Sequence, residues 1–264
     1  MCPSEKEGAP DQPRRVENLF LNTREEVFGF MATRFRYPTG ARPLLIEETA
    51  RRRRIESRFV SLLEDAGFAE VVLPIIDFAE PYAEVMTRNA AKQSYRFTDR
   101  DGELVAIRSD FTPMVARALA SSLNGSLPLR VYYRGDVIRC EGTRLGSNRE
   151  LFQIGAEIVG DGSLEADLEM LRLAATIASA FSREPLVVYA DGPEIDDQTF
   201  VRHDEEGDRG YYTGVRFWVY GDDRRTPIAQ GGRYDSLYGR FGASAPAIGF
   251  TFTVDDLAWS AEDN

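Results

Sequence analysis

Residues 128–160, PLRVYYRGDVIRCEGTRLGSNRELFQIGAEIVG, constrain the fold of this chain more than any other stretch. Leu129, Val131 and Tyr133 alternate with other residues in the manner of a half-buried strand. The run reaches Arg139 and Glu141, passes a loop from Gly142 to Arg149, and returns through Leu151, Gln153, Gly155 and Glu157. The pattern predicts two long antiparallel strands joined by a loop. Strand residues two or four apart share a face, so Gln153, Gly155 and Glu157 are expected on one face, with Gly155 leaving room between the polar pair. The Arg139 guanidinium, an amide and a carboxylate beside a glycine suit a small zwitterion. They equally suit a buried Arg–Glu pair that only fixes strand register.

Around this segment the chain has the length and composition of a globular protein: 264 residues, 43% hydrophobic and 28% charged. The net charge of −11 argues against a dedicated nucleic-acid surface. His203 is the sole histidine and sits among acidic residues, which excludes a multi-histidine metal site and disfavours a His-based triad. Of the two cysteines, Cys2 lies in a terminal tail, so no structural disulfide is expected and a reducing cytoplasm fits. No apolar run approaches membrane-spanning length, and the N-terminus lacks the apolar core of a signal peptide. Residues 1–16, rich in Pro, Glu and Gly, read as a disordered tail. Residues 17–36 carry Leu19, Phe20, Val27, Phe28, Phe30, Met31 and Phe35 and read as a short amphipathic helix.

Taken in order, YPTGARPLLIEETARRRR (37–54) is a turn entering a helix, with Glu47 and Glu48 at its start. Ile55, Phe59, Leu62, Leu63 and Ala66 continue at helical spacing, and Gly67 ends it. Arg51 to Arg54 point in different directions on a helix, which describes a solvated or interface surface rather than a nucleic-acid site. Val71 to Ile76 reads as a strand that Pro74 confines to an edge or a junction. Residues 94–113 read as a hairpin around Asp101-Gly102. RSDFTP (108–113) then opens a helix to about Leu123, with Asp110 or Thr112 available as its cap. A further helix spans 162–181 with Ser163 as cap, and 185–191 is a strand. Residues 191–208 read as an acidic connector. Tyr211 and Tyr212 follow, and two aromatics alternating across a strand are the plain account of them. Gly231 and Gly232 of AQGGRYDSL permit close approach to a ligand, with Arg233, Tyr234 and Asp235 opening the next helix.

Several of these stretches resemble, in order, the motifs of class II aminoacyl-tRNA synthetases. The version is that of histidyl-tRNA synthetases and of their non-synthetase relatives, the regulatory subunits of ATP phosphoribosyltransferase. The helix, glycine and Pro74-interrupted strand look like motif 1, residues 128–160 like motif 2, and APAIGFTFTVDDL (245–257) like motif 3. The resemblance covers roughly residues 37–257. It implies an α+β fold, a class II synthetase-like core with a mostly antiparallel sheet flanked by helices. It also implies one domain over 17–264, without the insertion domain that synthetases carry near 191–208 and without an anticodon-binding domain. The implied histidine-binding set is Asp110, Thr112, Arg139, Gln153, Glu157, Tyr211 and Tyr212. Asp110 replaces the family's usual glutamate; with Thr112 it holds the ligand's amino group. The resemblance implies that the first tyrosine helps close the imidazole pocket and that the second lies near it.

The resemblance breaks where ATP would be used. The motif 3 arginine falls at Asp256, the catalytic arginine before the tyrosine pair falls near Gly207, and a motif 2 loop arginine falls at Ser147. Losing one such cation costs on the order of 10²- to 10⁵-fold in rate. Against this, Arg139 and Glu141 are retained, and Arg209 lies two residues from the missing catalytic position. Glu141 reads equally as a retained ancestral residue and as a partner for a neighbouring arginine such as Arg144. The expectation is a non-catalytic, cytoplasmic regulatory subunit without cofactor or metal, binding histidine for feedback control of histidine biosynthesis. It dimerises through motif 1 and assembles, as the family does, with a short-form catalytic subunit into a hetero-octamer, with neither nucleic acid nor membrane as partner. The alternatives are a minimal histidyl-adenylate-forming enzyme and a binding module that uses the fold only to dimerise.

Overall fold

The helix after the Pro/Gly turn runs Ile46–Asp65 (α1), with Glu47 and Glu48 in its first turn. Ile55, Phe59 and Leu63 are buried at four-residue spacing. Gly67 ends it at φ +82°. Its N–H bonds Glu64 O at 2.9 Å and that of Phe68 bonds Leu63 O at 3.0 Å, which satisfies two terminal carbonyls. Arg52 pairs with Asp255 at 2.7 Å and so ties the helix to the far end of the chain, while Arg53 pairs with Glu56 within the helix itself.

A two-residue strand, β1 (Ala69–Glu70), follows, and then β2 (Ile76–Phe78). Pro74 lies between them at a junction of two sheets, as its missing donor requires. Val71 N–H bonds Tyr132 O in one sheet, while Ile75 O accepts from Arg108 N–H beside the other. β3 (Arg96–Thr98) and β4 (Leu104–Ile107) flank the Asp101-Gly102 turn and join β2 in a three-stranded antiparallel sheet, order β2-β4-β3. Helix α2 spans Thr112–Ala120, stopping short of Leu123.

The organising hairpin forms as β5 (Leu129–Ile138) and β6 (Glu150–Val159), antiparallel along their whole length. Helix α3 (Leu164–Ser179) is capped by Ser163, whose Oγ accepts the Ala166 N–H at 3.2 Å. Then come β7 (Leu186–Ala190), β8 (Phe200–Arg202), β9 (Arg216–Tyr220), β10 (Pro227–Arg233), β11 (Ala247–Thr253) and α4 (Val254–Leu257). The connector expected over 191–208 therefore contains an edge strand, with exposed His203 just beyond it. Arg233 ends β10 rather than opening a helix; a 3₁₀ turn at Tyr238–Phe241 follows.

Among the described residues the large sheet has eight strands in the order β1-β5-β6-β11-β10-β9-β7-β8. Its two edge pairings are parallel and the rest antiparallel. One face is greasy: Tyr132, Ile154, Ala156, Ile158, Phe217, Phe250 and Phe252 pack with residues of α1 and α3 into the main core. The opposite face is polar and small. Across it, Glu157 pairs with Gly249, Gly249 with Gly232, and Gly232 with Arg216. Phe111 and Val115 of the α2 segment cover part of that face against Val131, Tyr133 and Val137. The site positions are thus set by strand parity.

The structure is a computed structural model and describes residues 37–83, 85, 92–123, 127–140, 148–203, 211–222 and 224–257. From Thr39 onward the chain forms one compact unit. The expected tail and helix of residues 1–36, together with Glu141, Arg144, Ser147, Gly207 and Arg209, lie outside the described residues. Among the described residues, no helix is long and apolar enough to cross a membrane.

Candidate functional site

Glu157 is the centre of the polar face, and it is fully buried. Its Oε1 accepts from Thr112 Oγ1 at 3.0 Å and from the Tyr133 hydroxyl at 3.3 Å. Tyr133 OH also lies 2.6 Å from Thr251 Oγ1. The other oxygen, Oε2, is buried with no protein partner. It lies over Gly249, where a Cβ on any other residue would collide with it. Burial holds the Glu157 carboxyl well above the ordinary glutamate value; the two hydroxyl bonds oppose this, and the charge of Asp110 adds to it. The site thus keeps a carboxyl, pre-positioned and desolvated, with one oxygen unspent.

Asp110 sits half-buried ahead of α2, and its Oδ1 accepts the Thr112 N–H at 3.2 Å. It therefore satisfies the N–H of the first helical residue, although the N-cap position itself is Phe111, which makes no side-chain cap bond. Burial raises its carboxyl, and the Arg139 guanidinium opposes that rise. The charge of Asp110 reaches Glu157, Tyr133, Tyr211 and Tyr212, so it lies amid the set predicted from sequence.

Arg139 lies just past β5, eight residues beyond Val131, the residue paired with Glu157. Its Nε donates to Ser109 O at 3.3 Å, and its charge acts on Asp110. Hydroxyls hold Glu157, so the Arg–Glu register pair is not the arrangement found. Gln153 is buried on the same face, between Gly135 and Thr253 in register.

Tyr211 and Tyr212 precede β9, and their ring centroids are 4.8 Å apart. They do not alternate across a strand. Tyr212 packs over Gly232, where a Cβ would come within 2.7 Å of its ring, and Tyr211 meets Tyr234 edge-on at 5.7 Å. Burial, followed by the charge of Asp110, raises the Tyr211 phenol well above its ordinary value. Both glycine expectations change in consequence. The space at Gly155 is filled by the Tyr133 phenol, while Gly231 and Gly232 admit the Phe217 and Tyr212 rings rather than a ligand.

Tyr133, Thr251 and Gly249 belong to the site and were not singled out from the sequence. Tyr133 carried a signal, since strand parity places it on the Glu157 face once the register is known. The partners contributed by β11 had none. At the expected nucleotide end, Asp256 is exposed on α4. Its neighbour Asp255 is committed to structure through Arg52 and, at 3.2 Å, the Phe152 N–H. Among the described residues, no group of three or more His, Cys, Asp or Glu is arranged to hold a metal ion.

An eight-stranded, largely antiparallel sheet with helices on its apolar face and a glycine-lined polar face is the fold of a class II aminoacyl-tRNA synthetase, of the histidyl type. Solved structures of this type superpose on the chain. An ATP phosphoribosyltransferase regulatory subunit/histidyl-tRNA synthetase from Bacillus halodurans does so with a TM-score of 0.77 at 21% identity, covering 87% of this chain and 84% of that one. Apo histidyl-tRNA synthetase of S. aureus gives 0.72 at 21% identity, covering 87% and 70%. The chain belongs to the histidyl-tRNA synthetase family, whose model matches residues 40–189 and 204–257. Curated relatives named ATP phosphoribosyltransferase regulatory subunit include that of Geobacter metallireducens, 36% identical over 57% of this chain and 35% of the relative. That of Desulforamulus reducens is 26% identical over 86% of this chain and 79% of the relative. The first of these matches and others like it span about a third of the curated relatives' length.

Proposed function

We propose that the protein is a non-catalytic regulatory subunit of ATP phosphoribosyltransferase that binds histidine for feedback control. The observation that carries this reading is the unspent Oε2 of buried Glu157, held beside Thr112, Tyr133 and the Tyr211–Tyr212 pair. A desolvated carboxylate oxygen calls for an N–H donor, and an imidazole or an ammonium provides one. Asp110 offers a second acceptor for the ammonium, and Arg139 a cation for the ligand carboxylate. The names of the curated relatives support the same pathway. Asp256, in place of a phosphate-binding arginine, opposes histidyl-adenylate formation.

In this reading histidine binding biases a two-state arrangement passed to a short-form catalytic subunit, with a coupling on the order of 1–3 kcal/mol. Exposed apolar residues in the motif 1 region support dimerisation there: Val72 is 88% exposed, and Ile76 and Phe78 are each 49% exposed. The test is a calorimetric titration of histidine against wild type and Glu157→Ala, with truncation costing roughly 1–3 kcal/mol of binding. It is paired with activity of a short-form catalytic subunit mixed with this chain, with and without histidine. Absence of binding, or histidine-driven ATP–pyrophosphate exchange, refutes the reading.

A further inference from the structure

Phe111 stands between Asp110 and Thr112 in the chain and is buried. Its ring stacks on that of Tyr133, with centroids 4.4 Å apart and planes 15° from parallel, and the Arg108 guanidinium lies over it at 4.1 Å. Arg108 is itself fixed, by Asp136 O at 2.8 and 3.0 Å and by Leu73 O at 3.0 Å. Two glycines of the hairpin make room for this stack. A Cβ at Gly135 would come within 2.7 Å of Arg108 Nη2 and 3.4 Å of the Phe111 ring, and a Cβ at Gly155 would collide with the Tyr133 hydroxyl. Gly135 also holds φ at +147°, a conformation that side chains rarely adopt. Two strand positions are thus kept bare for the stack, and what the stack delivers is the Tyr133 hydroxyl. Tyr133, Gly155 and Thr251 form one row across β5, β6 and β11. The phenol lies along that row, its oxygen 2.6 Å from Thr251 Oγ1 and 3.3 Å from Glu157 Oε1. A phenol has a single proton. With that proton given to the carboxylate, the Thr251 hydroxyl donates to the phenol oxygen. The Thr112 and Tyr133 hydroxyls then pin Oε1, and Oε2 is left over Gly249.

We propose that Phe111 is a positioning residue of the Glu157 site: its ring, held by Arg108, sets the Tyr133 phenol where its hydroxyl pins Oε1 and so presents Oε2 to the ligand. Phe111 makes no ligand contact in this role, and it acts through Tyr133 rather than through its chain neighbours Asp110 and Thr112. The inference rests on the histidine-binding reading above and adds to it a residue outside the ligand-contacting set.

The experiment is a double-mutant cycle on histidine affinity, read by calorimetric titration of wild type, Phe111→Leu, Tyr133→Phe and the double variant. Phe111→Leu keeps an apolar side chain and removes the stacked ring. Tyr133→Phe keeps the stack and removes the hydroxyl. Phe111→Leu is expected to lose about three- to tenfold in affinity and Tyr133→Phe about tenfold. The double variant is expected to bind no more weakly than Tyr133→Phe, because the ring has nothing left to position. A ring that only stabilises the fold, or that acts through Asp110 and Thr112, gives losses that multiply in the double variant. Multiplying losses therefore overturn the inference, as does unaltered affinity in either single variant, and each leaves the histidine reading standing. If a ligand-free melt shows Phe111→Leu unfolded, Phe111→Met, with its longer flexible side chain, takes its place in the cycle under the same criteria. Wild type that fails to bind histidine overturns both the inference and the reading.

Discussion

Thr112 and Glu157 are far apart in sequence, yet the threonine hydroxyl donates to the carboxylate at 3.0 Å in a buried setting. That bond joins the first residue of helix α2 to the middle of the sheet's polar face. It also leaves the carboxylate half-satisfied, since Oε2 remains without a partner. A group so placed is held for something other than stability, because a buried carboxylate with an unspent oxygen destabilises the fold that contains it.

The pH dependence of stability tests this. Burial raises the folded-state value of Glu157 well above its ordinary 4.5. Between those two values the folded chain holds a proton that the unfolded chain releases. The contribution is therefore fully present below pH 4.5 and is lost as pH rises through the folded value. Asp110, raised from 3.8, acts in the same direction. Glu157→Gln removes the larger effect. Urea unfolding from pH 4 upward is expected to show the variant gaining on wild type as pH rises, reaching about 1–3 kcal/mol near neutrality while histidine affinity falls. Parallel curves at all pH values contradict the account.

A second prediction concerns the space for Oε2. In Gly249→Ala the new Cβ collides with the Glu157 carboxylate and crowds the backbone oxygen of Ala156. Neither neighbour can yield easily, one being held by two hydroxyls and the other being main chain in a paired strand. The expected cost is about 1–3 kcal/mol of stability by denaturant melts, with loss of histidine binding by calorimetry.

Much of this arrangement was legible in the sequence. The alternation of Leu129, Val131 and Tyr133, and that of Gln153, Gly155 and Glu157, specify both the hairpin and the face that each side chain takes. Gly67, Asp101-Gly102 and Ser163 mark ends and turns through local chemistry, which a sequence displays directly. The remainder depended on pairing between distant strands. Thr251 meets Tyr133 because β11 lies beside β6, and nothing near either residue reports that neighbour. The same holds for Gly155, Gly231 and Gly232, whose missing side chains are answered by rings from other strands and loops. Strand β8 was missed because it is three residues long, pairs only at an edge, and is embedded in acidic sequence.

Arg108 makes a third test. Its guanidinium donates to Asp136 O at 2.8 and 3.0 Å and to Leu73 O at 3.0 Å, and it stacks over Phe111. It thereby ties the motif 1 junction and β5 to the segment carrying Asp110 and Thr112. Burial lowers its pKa, with Asp136 opposing, but leaves it the natural partner for these carbonyls. Arg108→Met keeps the stem and strands the acceptors. The expected loss is about 2–4 kcal/mol in denaturant melts, and Arg108→Lys recovers only part of it because an ammonium lacks the planar fork.

The last prediction addresses the apolar surface near motif 1. Ile76 and Phe78 lie on β2, and Phe97 on β3; Phe78 and Phe97 both register with Val105 of β4, so they share a face of the small sheet. Phe97 is 40% exposed, and Val72 projects from the adjoining junction. Contiguous exposed apolar groups of this kind mark an interface, and a second copy of the chain covers them in the proposed dimer. Phe78→Asp places a charge at that patch without removing a core side chain. Sedimentation velocity is expected to register a shift from dimer to monomer at micromolar concentration, with far-ultraviolet dichroism unchanged. A dimer that survives both Phe78→Asp and Val72→Asp places the interface elsewhere. Wild type that sediments as a monomer removes the dimer from the proposal altogether.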